Sequence, residues 1–281
     1  VTPFRDGKVD EGALESLVER QIEAGVDGVV PCGSTGESAT LSHDEHDRVI
    51  ELVIKTVAGH CKIIAGTGSN CTAEAVRLTQ TAADAGADGA LIVAPYYNRP
   101  TQEGLFQHYS AIAESVDLPI VLYNVPSRCA IDISNETVSR ICGEHDNIAA
   151  IKDASGGVTR VAELVDRFGV DVLCGDDSLT LSMMAHGAVG VISVISNLVP
   201  EWMKELVDSA TAGDFERCRM FHQKACGLAD EIGVLGPNPV PVKTAMALTG
   251  LIAEELRLPL CKLAPDDRNR VADALRRYEL L

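Results

Sequence analysis

Basic residues are in short supply: 24 Lys and Arg stand against 41 Asp and Glu in 281 residues, a formal charge of −17. A protein that grips a phosphate backbone needs the opposite balance, so nucleic acid is excluded as a partner. Long uncharged apolar runs are also missing, and none approaches the roughly 18 residues that cross a bilayer. The opening residues, Val1 to Asp10, lack a basic-then-apolar targeting pattern. The expectation is a soluble, cytoplasmic protein with no membrane partner. No C-x-x-C pair occurs among the nine cysteines. Their odd number and their places in apolar runs point to reduced, mostly buried small side chains. None has an evident thiolate-stabilising neighbour, and no clustered ligand set suggests zinc. What is plentiful is apolar material, 46% of residues with 23% charged, which excludes intrinsic disorder and supplies a large core.

Short β-branched runs alternate with longer helical patterns, the arrangement of parallel strands joined by crossover helices. Strands are expected at Gly28–Pro31, Lys62–Ala65, Gly89–Val93, Pro119–Tyr123, Ile148–Lys152, Asp171–Cys174 and Ala188–Ser193, after a truncated opening strand near Val1–Phe4. Beyond Pro200 the strand signal stops and helical segments remain. The architecture expected is α/β: a (β/α)8 barrel over residues 1–199, its first strand incomplete, with a helical C-terminal region over 200–281. A doubly wound open sheet is the alternative, but eight evenly spaced strands with no ninth favour closure. The joints Ala24-Gly25-Val26-Asp27-Gly28 and Ala85-Gly86-Ala87-Asp88-Gly89 repeat a helix stop in which glycine takes the left-handed conformation.

In such a barrel the chemistry gathers at the C-terminal ends of strands. Lys152 ends an otherwise apolar strand. An ordinary lysine there simply reaches solvent; one held against low-dielectric walls loses charge readily and becomes a neutral amine that attacks a carbonyl. Tyr123 ends the preceding strand, either as a plain aromatic or as a hydroxyl relaying protons to that amine. The segment Cys32-Gly33-Ser34-Thr35-Gly36-Glu37-Ser38 lacks the Gly-Lys-Ser or Gly-Lys-Thr ending of a nucleotide loop, and its turn suits a small carboxylate. Tyr96 and Tyr97 are adjacent outside a helix and point different ways, which allows two separate roles.

These residues, with Tyr96-Tyr97-Asn98-Arg99-Pro100, Tyr123-Asn124-Val125-Pro126-Ser127-Arg128, Ile151-Lys152-Asp153-Ala154-Ser155-Gly156, Gly190-Val191-Ile192-Ser193 and Pro237-Asn238-Pro239-Val240-Pro241-Val242-Lys243, give the chain a resemblance to the dihydrodipicolinate synthase family. That family lies within the pyruvate-dependent lyases and aldolases that include N-acetylneuraminate lyase. The resemblance spans nearly the whole chain. It implies that Lys152 forms an imine with pyruvate and that Tyr123 and Thr35 form a proton relay completed by Tyr97 from a neighbouring subunit. It places the pyruvate carboxylate around Ser34 and Thr35, includes Ile192 in the substrate site, and gives Arg128 the carboxylate of the aldehyde substrate, a task suited to a planar guanidinium. The family often has two threonines where this chain has Ser34 and Thr35, so a hydroxyl is kept and a methyl lost.

The implied activity condenses pyruvate with L-aspartate 4-semialdehyde to 4-hydroxy-tetrahydrodipicolinate, in lysine and diaminopimelate biosynthesis. No cofactor and no metal are expected, because the protonated imine is itself the electron sink. The implied assembly is a homotetramer of two tight dimers. His43 and His46, three apart on one helix, lack H-E-x-x-H spacing, and their plain reading is solvated helix residues. In lysine-inhibited members of the family, however, an allosteric pocket uses the positions of Ser38, Ala39, His43, His46, Asn70, Glu74 and Tyr96, so inhibition by L-lysine is expected. Two other activities remain open: cleavage of a 2-keto-3-deoxy sugar acid by the same imine chemistry, and a noncatalytic lysine-binding regulator.

Overall fold

The computed structural model describes all 281 residues, which fall into two compact units, residues 1–61 with 193–281 and residues 62–192.

The first unit opens with a hairpin, β1 (Phe4–Arg5) antiparallel to β2 (Lys8–Val9). The Val1–Phe4 strand expected from the sequence is therefore replaced by this hairpin. The reason is local: Asp6 and Gly7 both have positive φ, 53° and 76°, the signature of a two-residue turn that twists with its strands. Helices Glu11–Glu23 and His43–Val57 flank β3 (Gly28–Val29). The second helix starts on a full capping box, with the Ser42 hydroxyl accepting from the Glu45 amide and the Glu45 carboxylate accepting from the Ser42 amide. The C-terminal part is helical, at Pro200–Thr211, Phe215–Gly233, Val240–Leu248 and Pro265–Arg277. Its apolar faces are buried through Leu206, Leu228, Met246 and Leu275.

The second unit is a run of parallel strands, each paired with the next: β4 (Lys62–Gly66), β5 (Gly89–Val93), β6 (Ile120–Asn124), β7 (Ile148–Asp153), β8 (Asp171–Cys174) and β9 (Gly190–Val191). Every residue of β6 is buried, as expected for a parallel strand covered on both faces. Helices Thr72–Ala85 and Asn135–Glu144 pack against β5 and β7, and helix Gln102–Ala113 packs against both helices. Strands β6 and β7 each run one residue further than the apolar pattern indicated, to Asn124 and Asp153. Gly68 allows a close approach beyond β4, since a Cβ there would lie 2.3 Å from the Val93 amide nitrogen.

Candidate active site

Tyr123 and Lys152 are register partners at the ends of β6 and β7. Opposed residues of a parallel pair share a face, so the Lys152 Nζ lies 4.2 Å from the centre of the Tyr123 ring. Lys152 is only 8% exposed. Burial lowers its pKa from 10.5 to about 8; Asp177 and Cys174 push the other way, and the nearby Arg128 guanidinium adds to the lowering. Desolvation wins, and the amine is neutral far more often than a surface lysine.

Room for this side chain comes from Gly175, just after β8. A Cβ there would stand 2.8 Å from the Ala154 Cβ, 3.0 Å from the Asp153 carbonyl oxygen and 3.1 Å from the Lys152 Cε. Neither Gly175 nor the buried Asp177 drew notice in the sequence. The available signal was a glycine followed by two acidic residues at a strand end.

One residue further along, Asn124 and Asp153 face the other way. The Asn124 amide donates to Asp132 Oδ1 at 2.7 Å and Asp153 Oδ2 at 3.1 Å, while its Oδ1 accepts from the Ile133 amide at 3.1 Å. Arg160 spans the same carboxylates, 2.8 Å from Asp132 and 3.4 Å from Asp153. Asp153 also accepts from the Ser155 amide and hydroxyl, at 3.0 and 2.6 Å. This network pins the strand ends from behind, so the face carrying Tyr123 and Lys152 is held without using its own polar groups.

In the first unit, residues 33–37 form a tight double turn, with the Gly36 amide donating to the Gly33 carbonyl at 3.0 Å and the Glu37 amide to the Ser34 carbonyl at 3.2 Å. Glu37 is left-handed, φ 53°. Its carboxylate accepts from the Lys243 Nζ at 2.5 Å and the Arg257 amide at 3.2 Å. Lys243 is almost wholly buried and also donates to the Thr2 carbonyl at 3.0 Å. Burial lowers its pKa even with Glu37 opposing the shift. The Thr35 hydroxyl accepts from the Asn238 Nδ2 at 2.9 Å.

The remaining expected residues fall as follows. Arg128 is exposed on a single helical turn, Pro126–Cys129, that the sequence did not signal. Tyr97 is 91% exposed with φ 72°, an unusual conformation for a bulky residue. The Ile192 amide donates to the Cys174 carbonyl at 2.9 Å. Asn70, Glu74 and Tyr96 belong to one neighbourhood: the Asn70 side chain donates to the Tyr96 carbonyl at 3.1 Å, and Glu74 accepts from the hydroxyl of Ser69, the residue before Asn70. Ser38 and Ala39 lie on a one-turn 3-10 helix that precedes the histidines. His43 is exposed, whereas His46 is buried. The plain reading of both histidines as solvated therefore fails for His46, because residue 46 falls on the apolar stripe of its helix beside Val49 and Ile50. None of the nine cysteines forms a disulfide, and five are buried.

The Dihydrodipicolinate synthetase family model matches residues 1–278. The 4-hydroxy-tetrahydrodipicolinate synthase of Syntrophus aciditrophicus is 52% identical, over 100% of this chain and 97% of its own. The chloride-inhibited dihydrodipicolinate synthase of Acinetobacter baumannii, solved with pyruvate, superposes with a TM-score of 0.97 at 46% identity, covering 100% of this chain and 97% of that one. A Cyanidioschyzon merolae structure of the same enzyme with lysine bound gives a TM-score of 0.95 at 36% identity, covering 100% and 96%. The fold is thus the α/β barrel with a helical C-terminal part that the strand and helix pattern indicated. By sequence and by structure alike, the chain belongs to the dihydrodipicolinate synthetase family.

Proposed function

We propose that the chain is a lyase that condenses pyruvate with L-aspartate 4-semialdehyde to 4-hydroxy-tetrahydrodipicolinate, on the path to lysine and diaminopimelate. The observation that carries the reading is Lys152, a strand-end amine buried beside a tyrosine with its pKa near 8. The names of its relatives agree, and they favour neither a sugar-acid aldolase nor a noncatalytic regulator.

The neutral Lys152 amine attacks the keto carbon of pyruvate, and loss of water gives a protonated imine. Removal of a methyl proton gives the enamine, which adds to the aldehyde carbon of the second substrate. The amine of that substrate then attacks the imine carbon, closing the ring and releasing Lys152. Tyr123, Thr35 and Tyr97 supply the hydroxyls that move protons, Ser34, Thr35 and Ile192 receive the pyruvate carboxylate, and Arg128 holds that of the aldehyde. A bulky Tyr97 kept left-handed and almost wholly exposed suits a side chain completed by a second subunit in a homotetramer. L-Lysine acts as inhibitor through Ser38, Ala39, His43, His46, Asn70, Glu74 and Tyr96; unchanged rates in a lysine titration would reject that role.

The test of the reaction is chemical. Borohydride added with pyruvate should fix one adduct, mapped by mass to the peptide carrying Lys152. An enzyme that turns over without such an adduct would remove the mechanism.

A further inference from the structure

The segment Pro237–Lys243 meets the Gly33–Glu37 turn twice. Lys243 grips the Glu37 carboxylate, and Asn238 contacts the Thr35 hydroxyl itself. The turn is also held by the Thr2 hydroxyl, which donates to the Gly36 carbonyl at 2.7 Å, and by the Arg257 amide on Glu37. Its backbone is therefore fixed without help from Asn238, which leaves the Asn238 contact with a different task. An amide N–H only donates, so at 2.9 Å the Thr35 oxygen must accept. A hydroxyl has one proton, and the proton of Thr35 is left to point elsewhere.

We propose that Asn238 is a positioning residue that sets the direction of the Thr35 hydroxyl, presenting its proton to the carboxylate of the keto acid. This deepens the reading above and rests on it, since it assumes that Thr35 receives that carboxylate. Without Asn238 the hydroxyl rotates among its staggered positions, and part of the binding energy is lost in re-aiming it. With an aspartate in its place, the acceptor-only carboxylate draws the Thr35 proton to itself.

The experiment compares steady-state kinetics for pyruvate in Asn238→Ala, Asn238→Asp, Thr35→Val and the Thr35→Val/Asn238→Ala double variant, with thermal melting of each. Asn238→Ala should raise KM for pyruvate about tenfold, the loss of one hydrogen bond's worth of orientation, and lower kcat as well, because the same hydroxyl serves the proton relay. Asn238→Asp, of the same size and shape, should raise KM further with an unaltered melting temperature, and it carries the test if the alanine variant does not fold. The double variant should bind pyruvate no worse than Thr35→Val alone, because the two residues act through one proton. Losses that add, or a normal KM in both Asn238 variants, would overturn the role of Asn238 while leaving that of Thr35 standing. A normal KM in Thr35→Val would remove the underlying reading of Thr35, and this inference with it.

Discussion

On the proposed mechanism, a single amine sets the pH dependence of pyruvate trapping. With a pKa of about 8, Lys152 is neutral in about one molecule in ten at pH 7. The rate of pyruvate trapping should therefore climb nearly tenfold per pH step below 7 and level off above about 8.5; a profile flat from pH 6 to 8 would contradict it. The same shift bears on stability. The folded pKa lies below the unfolded value of 10.5, so the unfolded chain binds more protons between about 8 and 10.5. The stability cost of burying the amine is thus full below pH 8 and relieved as pH rises through that window. The gap corresponds to about 3 kcal/mol. Lys152→Met should abolish trapping yet melt several degrees higher at pH 7, which calorimetry reads directly, the gain that accompanies removal of a desolvated amine.

Two elements support residues of the proposed mechanism, and each is open to substitution. Beyond β8, Gly175 has an ordinary φ, so alanine is tolerated by the backbone but not by its neighbours. Two of its three close contacts, at 2.8 and 3.0 Å, are an alanine Cβ and a backbone oxygen that cannot swing away, so the backbone after β8 must shift and the Lys152 Cε, at 3.1 Å, must give way with it. Gly175→Ala should slow imine formation by up to about 100-fold, the usual cost of a misplaced reacting group, with the far-ultraviolet circular dichroism unchanged; wild-type single-turnover rates would show that Lys152 has room to spare. In the Gly33–Glu37 turn, the Glu37–Lys243 pair is buried on both sides. Lys243→Met leaves a carboxylate stranded and should cost about 3–5 kcal/mol in urea unfolding. Adding Glu37→Gln to it should recover much of that loss, since a neutral amide is far cheaper to bury than an unpaired charge.

At the scale of the whole molecule, the chain is acidic and no helix is long and apolar enough to cross a membrane. On the proposed reading, the exposed Tyr97 would tie activity to assembly. Tyr97→Phe should lower kcat without changing the sedimentation coefficient, because it removes a hydroxyl and keeps the ring. A variant with full kcat would take Tyr97 out of the relay.

The sequence by itself determined the alternation of strands and helices, the end of strand signal near Pro200, and the placing of Tyr123 and Lys152 at adjacent strand ends. Those features are periodic or strictly local, and periodicity survives without coordinates. The motif list also contained Asn238 and Lys243, yet nothing in their spacing said what they touch. Only the tertiary structure decided that they close on Thr35 and Glu37, about 200 residues away in the chain. It also decided that Gly175 makes way for Lys152 and that Asn124, Asp132, Asp153 and Arg160 form one network. The opening hairpin was missed although its Asp6-Gly7 turn is a local signal, because the apolar residues before it read equally well as a barrel strand. The physical reason for the divide is solvation. Whether an amine or a carboxylate is stripped of water depends on what long-range packing puts over it, and that packing lowers the pKa of Lys152 from that of a surface lysine to about 8.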